Sequence, residues 1–287
     1  MSKLEVGISG WKYDGWKGTF YPPKLSPRKE LEFASRELPS IEINGTFYAL
    51  QRPSSYERWY EETPPGFIFS VKANRYITHI KRLNDIEIPL ANFFASGPLA
   101  LKEKLGPILW QFPPSMTFEP DRFSNFLKLL PRNFKEAKRL GMKAKIPKDR
   151  QYLEVTENYR IRHAVEIRNE SFLNPWFVEL LKKHKVALVF ADTAGKWPYL
   201  EDLTADFIYI RLHGDSELYR SGYDRSTLKF WASRIKTWMK GHEPSNRLTI
   251  SDDHALSGER DVYVYFDNDA KVRAPVDAKE LLKIIYH

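Results

Sequence analysis

The sequence predicts an α/β fold, a single (β/α)8 TIM-type barrel over residues 1–287, on three observations. Eight short β-rich runs alternate with helical segments along the chain. No strand leads into the glycine-rich phosphate fingerprint of a dinucleotide-binding sheet; Gly7-Ile-Ser-Gly10 is too short and wrongly placed. Charged residues recur on one parity of successive strands, as they would if all faced a common axis. A doubly wound open sheet uses the same alternation and is the alternative.

Taken in order, a strand at Val6–Trp11 precedes a Gly/Pro-rich loop and a helical Pro27–Glu37. A strand at Ile41–Tyr48 precedes helical Ser54–Glu62, and Phe67–Ala73 leads into a long segment around Leu90–Leu105. Pro107–Phe112 is followed by Pro120–Leu130, where proline suits a first helical turn. His163–Arg168 is followed by Asn174-Pro175-Trp176, an asparagine cap with proline behind it. Val186–Asp192 precedes a short, poorly periodic helical Pro198–Leu203. Phe207–His213 precedes Ser226–Lys240, and Val262–Phe266 precedes Val276–Tyr286.

Hydrophobic residues make up 42% and charged residues 29%, which is the composition of a soluble globular chain. With no cysteine there is no disulfide, thiolate metal site or cysteine nucleophile. No apolar run reaches membrane length and the N-terminus lacks a signal-peptide pattern, so the expectation is a cytoplasmic protein with no membrane partner. The net charge of +8 is concentrated: Arg132–Arg150 holds eight Lys or Arg against Glu136 and Asp149. This basic helix and loop region, at about 132–160, falls in a helix-to-strand connection and is expected at the N-terminal end of the barrel.

Barrel strands turn an apolar face to the helices, so the other parity points at the axis. Ile41 and Ile43 outward put Glu42 and Asn44 inward, and Val71 outward puts Ser70 and Lys72 inward. Leu109 with Gln111, and Ala164 with Glu166 and Arg168, continue the pattern. Ile208, Ile210 and Leu212 outward leave Tyr209, Arg211 and His213 inside. Leu188, Phe190 and Asp192 share one face, as do Tyr263, Tyr265 and Asp267. The polar groups gather at the C-terminal strand ends, where barrel active sites are built.

Several of these stretches resemble the domain-of-unknown-function-72 (YecE-like) family. They are Gly7-Ile-Ser-Gly-Trp-Lys-Tyr13 with Trp16 and Phe20-Tyr-Pro22, Glu42-Ile-Asn-Gly-Thr-Phe-Tyr48, Phe69-Ser-Val-Lys-Ala73 with Thr78-His79, and Lys104–Pro114. Val165-Glu-Ile-Arg168, Asp192 and Tyr209-Ile-Arg-Leu-His-Gly214 with Tyr219 and Tyr223 complete the resemblance. The family commonly has paired asparagines where this chain has Asp267-Asn268. The resemblance implies a TIM-type barrel, similar in fold to the endonuclease IV and xylose isomerase group, and supplies no activity.

Chemically, the constellation suits hydrolysis or lysis of a small anionic substrate, phosphorylated or carboxylated. Lys72, Arg168 and Arg211 would hold the anion, since guanidinium forks match phosphate and carboxylate. Glu42 or Glu166 would serve as general base and His213 or His79 as general acid. Gln111, Asn44, Trp11, Tyr48, Tyr219 and Tyr223 would complete substrate binding. A divalent metal is the candidate cofactor, with Asp192, Glu166, His213 and His79 as its ligands, although no metal-binding spacing is present. Lys72 is read as an ion-pairing or anion-binding lysine, with imine chemistry as the alternative open to a desolvated barrel lysine. The competing account is a structural ring in which Glu42 and Glu166 neutralise Arg168 and Arg211. It would leave a repair-like nucleic-acid-binding protein that uses its aromatics and positive charge.

Overall fold

Eight parallel strands close on themselves in chain order: β1 Leu4–Ser9, β2 Ser40–Ile43, β3 Ile68–Lys72, β4 Leu105–Gln111, β5 His163–Glu166, β6 Ala187–Asp192, β7 Phe207–Leu212 and β8 Asp261–Phe266. β8 pairs back onto β1, so the sheet has no free edge. The computed structural model describes residues 2–251, 258–269 and 272–287. Around the strands lie α1 Glu30–Glu37, α2 Gly45–Tyr48, α3 Pro53–Glu62, α4 Glu87–Ala95, α5 Pro120–Leu129, α6 Phe134–Gly141, α7 Pro175–His184, α8 Arg225–Met239 and α9 Arg273–Tyr286. Among the described residues no helix is long and apolar enough to cross a membrane.

Two apolar clusters show which way each strand faces. Outer residues such as Ile41, Val71, Ile208 and Ile210 pack on the helices, while Leu109, Ala164, Val189, Tyr209 and Tyr265 form a separate cluster inside. β1 can approach β2 closely because Gly7 has no side chain: a Cβ there would lie 2.0 Å from the Ser40 carbonyl oxygen.

Three expectations change. The strand expected over Ile41–Tyr48 ends at Ile43 and the chain coils into α2. The Thr46 hydroxyl drives this by donating to Ile43 O at 3.0 Å and Lys72 O at 2.6 Å, tying the turn to the ends of two strands. The helix expected at Pro198–Leu203 is irregular chain, because its polar groups are committed elsewhere. Glu201 pairs with Arg234 of α8, Glu201 N–H donates to Leu248 O at 2.7 Å, and Asp202 accepts from Ile250 and Ser251 N–H at 3.0 and 2.9 Å.

The basic region does not stay at the N-terminal end. Arg132 and Arg160 share a groove there with Lys183–Lys185. The chain between them crosses α4, with Lys145 N–H on Asn92 Oδ1 at 2.7 Å and Tyr152 N–H on Ala95 O at 2.7 Å. Arg150 then reaches Leu50 O at 3.2 Å, two residues beyond α2.

Candidate active site at the barrel mouth

The upper barrel interior is filled by charge. Arg211, fully buried on β7, is the hub: its Nη2 lies 2.8 Å from Glu42 Oε1 and 3.0 Å from Asp267 Oδ2, and its Nη1 lies 2.6 Å from Glu166 Oε2. Arg211 Nε adds a bond to Glu42 Oε2 at 3.1 Å. Tyr209 OH and Ser9 Oγ donate to the same carboxylate at 2.6 and 2.9 Å. Glu166 also accepts from Arg168 Nε at 2.9 Å and Gln111 Nε2 at 3.1 Å. Burial is the largest single influence on the Glu166 and Asp267 pKa values and works to raise them. Arg211, together with the neighbouring His213 and Lys72 and, at Glu166, Arg168, outweighs it and holds both carboxyls well below their usual range. Glu166 is therefore a committed carboxylate.

His213 sits within this network, its Nε2 3.3 Å from Arg211 Nη1 and its Nδ1 3.0 Å from Asp267 Oδ2. Burial, then Arg211, lower its pKa, so the imidazole is held neutral. Arg168 is sandwiched above: its guanidinium lies 3.7 Å from the Trp197 ring centroid and Nη2 donates to Tyr219 OH at 3.1 Å. Tyr219 takes a left-handed backbone (φ 63°), which carries strain for a non-glycine residue.

A cavity of about 850 Å³ opens over the network. Of the sequence-derived candidates, Trp11, Asn44, Tyr48, Lys72, His79, Gln111, Arg168 and Tyr219 line it. Glu42, Glu166, Arg211 and His213 do not; they lie in the layer beneath. Asn44 Oδ1 is buried without a hydrogen-bond partner. Tyr48 is 71% exposed on the rim.

Lys72, at the end of β3, projects over the Phe47 ring, 4.4 Å from its centroid. Its ammonium has no hydrogen bond or ion pair within 4.0 Å among the described residues, so of the two expected roles, ion pairing and anion binding, the first has no partner among them. Burial, and then Arg211, push its pKa down to about 8. His79 follows on a π-helix, Tyr76–Ile80, a rare backbone form that recurs at functional sites. Burial, then Lys72 and Arg168, lower His79 to about 4, and its Nδ1 lies 2.9 Å from Thr78 Oγ1.

Asp192 does not join the site, which breaks up the candidate metal set. β6 places Ala187, Val189 and Ala191 inside the barrel, so Asp192 takes the outward parity with Leu188 and Phe190. There it accepts from Tyr223 OH at 3.1 Å, and Tyr223, which accepts from Gly214 N–H at 3.0 Å, is likewise absent from the cavity wall. Among the described residues no three His, Cys, Asp or Glu side chains converge to hold a metal ion.

The wall also contains residues that the strand pattern did not single out: Lys12, Arg58, Trp59, Arg75 and Asp269. All lie on loops or helices, where no parity rule applies. Parity puts Asp267 on one face with Tyr263 and Tyr265 and leaves inward or outward open; the packing of those tyrosines inside the barrel and its contacts with Arg211 and His213 give it a place in the site.

Fold and site together define a TIM barrel with a buried ion-pair layer beneath a cation-rich mouth. The chain belongs to the family described as "Protein of unknown function DUF72", which matches residues 5–286. It is similar to UPF0759 protein YunF of Bacillus subtilis (strain 168), 35% identical over 119 residues, which are 39% of this chain and only 40% of that relative. It is also similar to UPF0759 protein YecE of Escherichia coli (strain K12), 25% identical over 248 residues and 84% of each chain. Among solved structures, a DUF72 family protein from Thermotoga maritima superposes with a TM-score of 0.72 at 24% identity, covering 99% of this chain and 100% of that one. Another from Enterococcus faecalis gives 0.68 at 16% identity, covering 99% and 96%. At these identities the structural likeness shows the fold alone.

Proposed function

We propose that the protein is an enzyme that binds a small phosphorylated or carboxylated substrate at the barrel mouth and acts on it by acid–base chemistry. One observation carries this reading. The buried acids below are committed to arginines, while Lys72 faces the cavity with no ion-pair partner among the described residues. An anionic ligand would supply that partner, with Arg168 and Arg75 beside it on the wall. Proton transfer then falls to Lys72 and to a neutral His79. Glu166 is too strongly held as a carboxylate to accept a proton near neutral pH.

Calorimetric titration with inorganic phosphate and with malonate at low salt tests the reading. Saturable binding by the native chain is expected, weakened about tenfold or more by Lys72→Met, the loss of one charge-assisted contact. No binding, or unchanged affinity in the variant, would sink it.

A second reading, nucleic-acid binding at the same mouth, is favoured by the course of the basic region. Arg150 ends on the Leu50 carbonyl, two residues along the chain from the rim residue Tyr48, with Arg58 and Arg75 on the cavity wall. It predicts a salt-sensitive gel shift with single- or double-stranded DNA that Tyr48→Ala and Arg150→Ala weaken; no shift at low salt removes it.

A further inference from the structure

The least explained group at the mouth is the Lys72 amine. Every acidic side chain in the layer beneath it is taken: Glu42 by Arg211, Tyr209 and Ser9; Glu166 by Arg211, Arg168 and Gln111; Asp267 by Arg211. The backbone of Lys72 is fixed by β3 pairing to β4 and by the Thr46 hydroxyl on its carbonyl, so the side chain has a defined origin. It leaves the sheet over the Phe47 ring into a cavity that can hold a small molecule. A lysine that only attracted anions would gain by remaining fully hydrated; this one is largely withdrawn from water and set near other cations. Those are the two conditions that make a lysine amine nucleophilic.

We infer that Lys72 Nζ forms an imine with the carbonyl carbon of a substrate that also bears a carboxylate or phosphate, the anion being held by Arg168 and Arg75. The inference rests on the anion-binding reading above and narrows its substrate class to oxo-acids and phosphorylated aldehydes or ketones. The amine lone pair attacks the carbonyl carbon, the C–N bond forms, and the carbonyl oxygen gains a proton. The amine nitrogen gives up both of its protons, the oxygen takes up a second, and water leaves as the C=N bond closes. One water is released per imine and nothing is oxidised or reduced. Protonation of the imine makes it an electron sink for breaking a bond at the adjacent carbon. His79, on the same wall and neutral, is the group placed to relay these protons.

The electrostatics agree. Burial first and Arg211 second lower the amine to about 8, while Asp267, Glu42 and Glu166 act in the opposite direction. The same cavity wall carries Arg168, Arg75, His79, Lys12 and Arg58, the acids Asp267 and Asp269, and the phenols of Tyr13, Tyr48 and Tyr219. At pH 8 about half of such amines are free base, against roughly 0.3% for an ordinary lysine.

The test is reductive trapping on the full chain with pyruvate or glyceraldehyde 3-phosphate, with and without sodium borohydride, followed by peptide mass spectrometry. A saturable, borohydride-dependent adduct on Lys72 is expected. It should be suppressed by inorganic phosphate, rise with pH through about 8, and be absent from Lys72→Met and Lys72→Arg. The melting temperature of both variants is measured alongside to show that they fold. If phosphate binds calorimetrically but adducts spread over exposed lysines with Lys72 no more labelled than the rest, the imine is wrong and the anion site stands. If phosphate fails to bind the native chain, the reading beneath the inference has failed. An adduct at Lys72 that phosphate does not suppress would leave the imine and remove the anion clamp.

Discussion

Arg211→Ala is expected to lower the melting temperature by on the order of 10 °C. Arg211 is completely buried and touches three carboxylates, Glu42, Glu166 and Asp267. Removing it leaves those charges in a low-dielectric interior with Tyr209, Ser9, Gln111, Arg168 and His213 as their remaining partners. Breaking a buried pair by deleting one side costs about 3–5 kcal/mol, and in a chain of this size each kcal/mol moves the midpoint by roughly 2–4 °C. Most of that cost is the penalty on the stranded acids. Arg211→Met combined with Glu42→Gln should therefore melt above Arg211→Ala, a non-additivity expected of contacting residues. Thermal unfolding followed by circular dichroism decides the matter. A variant that melts like the native protein but no longer binds phosphate would instead place Arg211 in the ligand site.

Lys72→Met is expected to work the other way and raise stability at pH 7 by about 2 kcal/mol. The folded protein holds the Lys72 pKa near 8 against an ordinary 10.5. The full shift corresponds to roughly 3 kcal/mol, reduced here because the side chain keeps partial contact with water. The sign follows from proton binding. Between about 8 and 10.5 the unfolded chain binds more protons than the folded one, so native stability rises with pH through that window. Below about 8 the penalty is fully present. The gap in melting temperature between Lys72→Met and the native protein should thus be largest at pH 7 and narrow by pH 10. A variant less stable than the native protein at pH 7 would mean that Lys72 has a stabilising partner. Together with the calorimetric and trapping experiments, a more stable Lys72→Met would mark Lys72 as a residue kept for chemistry at a cost to the fold.

The contrast between these two residues shows how far the sequence reaches. Both were legible as inward-facing, because strand side chains alternate and the partners of Arg211 and Lys72 in sequence, Ile210, Leu212 and Val71, are apolar. The same alternation located Glu42, Gln111, Glu166, Arg168 and His213. At β6 it recorded that Asp192 goes with Leu188 and Phe190. It gave no means of knowing that this face is the outer one, since Ala187, Val189 and Ala191 are as apolar as their neighbours. Pro198–Leu203 misled for a different reason: buried Glu201 and Asp202 are satisfied by Arg234 and by backbone around Leu248–Ser251, far away in sequence.

By itself, then, the sequence determined the barrel, the polarity of most strands and the pool of charges at one end, because two-residue periodicity and burial are local properties of the chain. The tertiary structure alone decided which charges spend themselves on one another and which are left facing the cavity. Arg211 and Lys72 are both inward cations near the ends of their strands, yet one is saturated by acids from three other strand ends and the other has none. That difference depends on strand register and on separations of a few ångströms across the closed barrel, between residues 45, 56 and 169 positions apart in the chain.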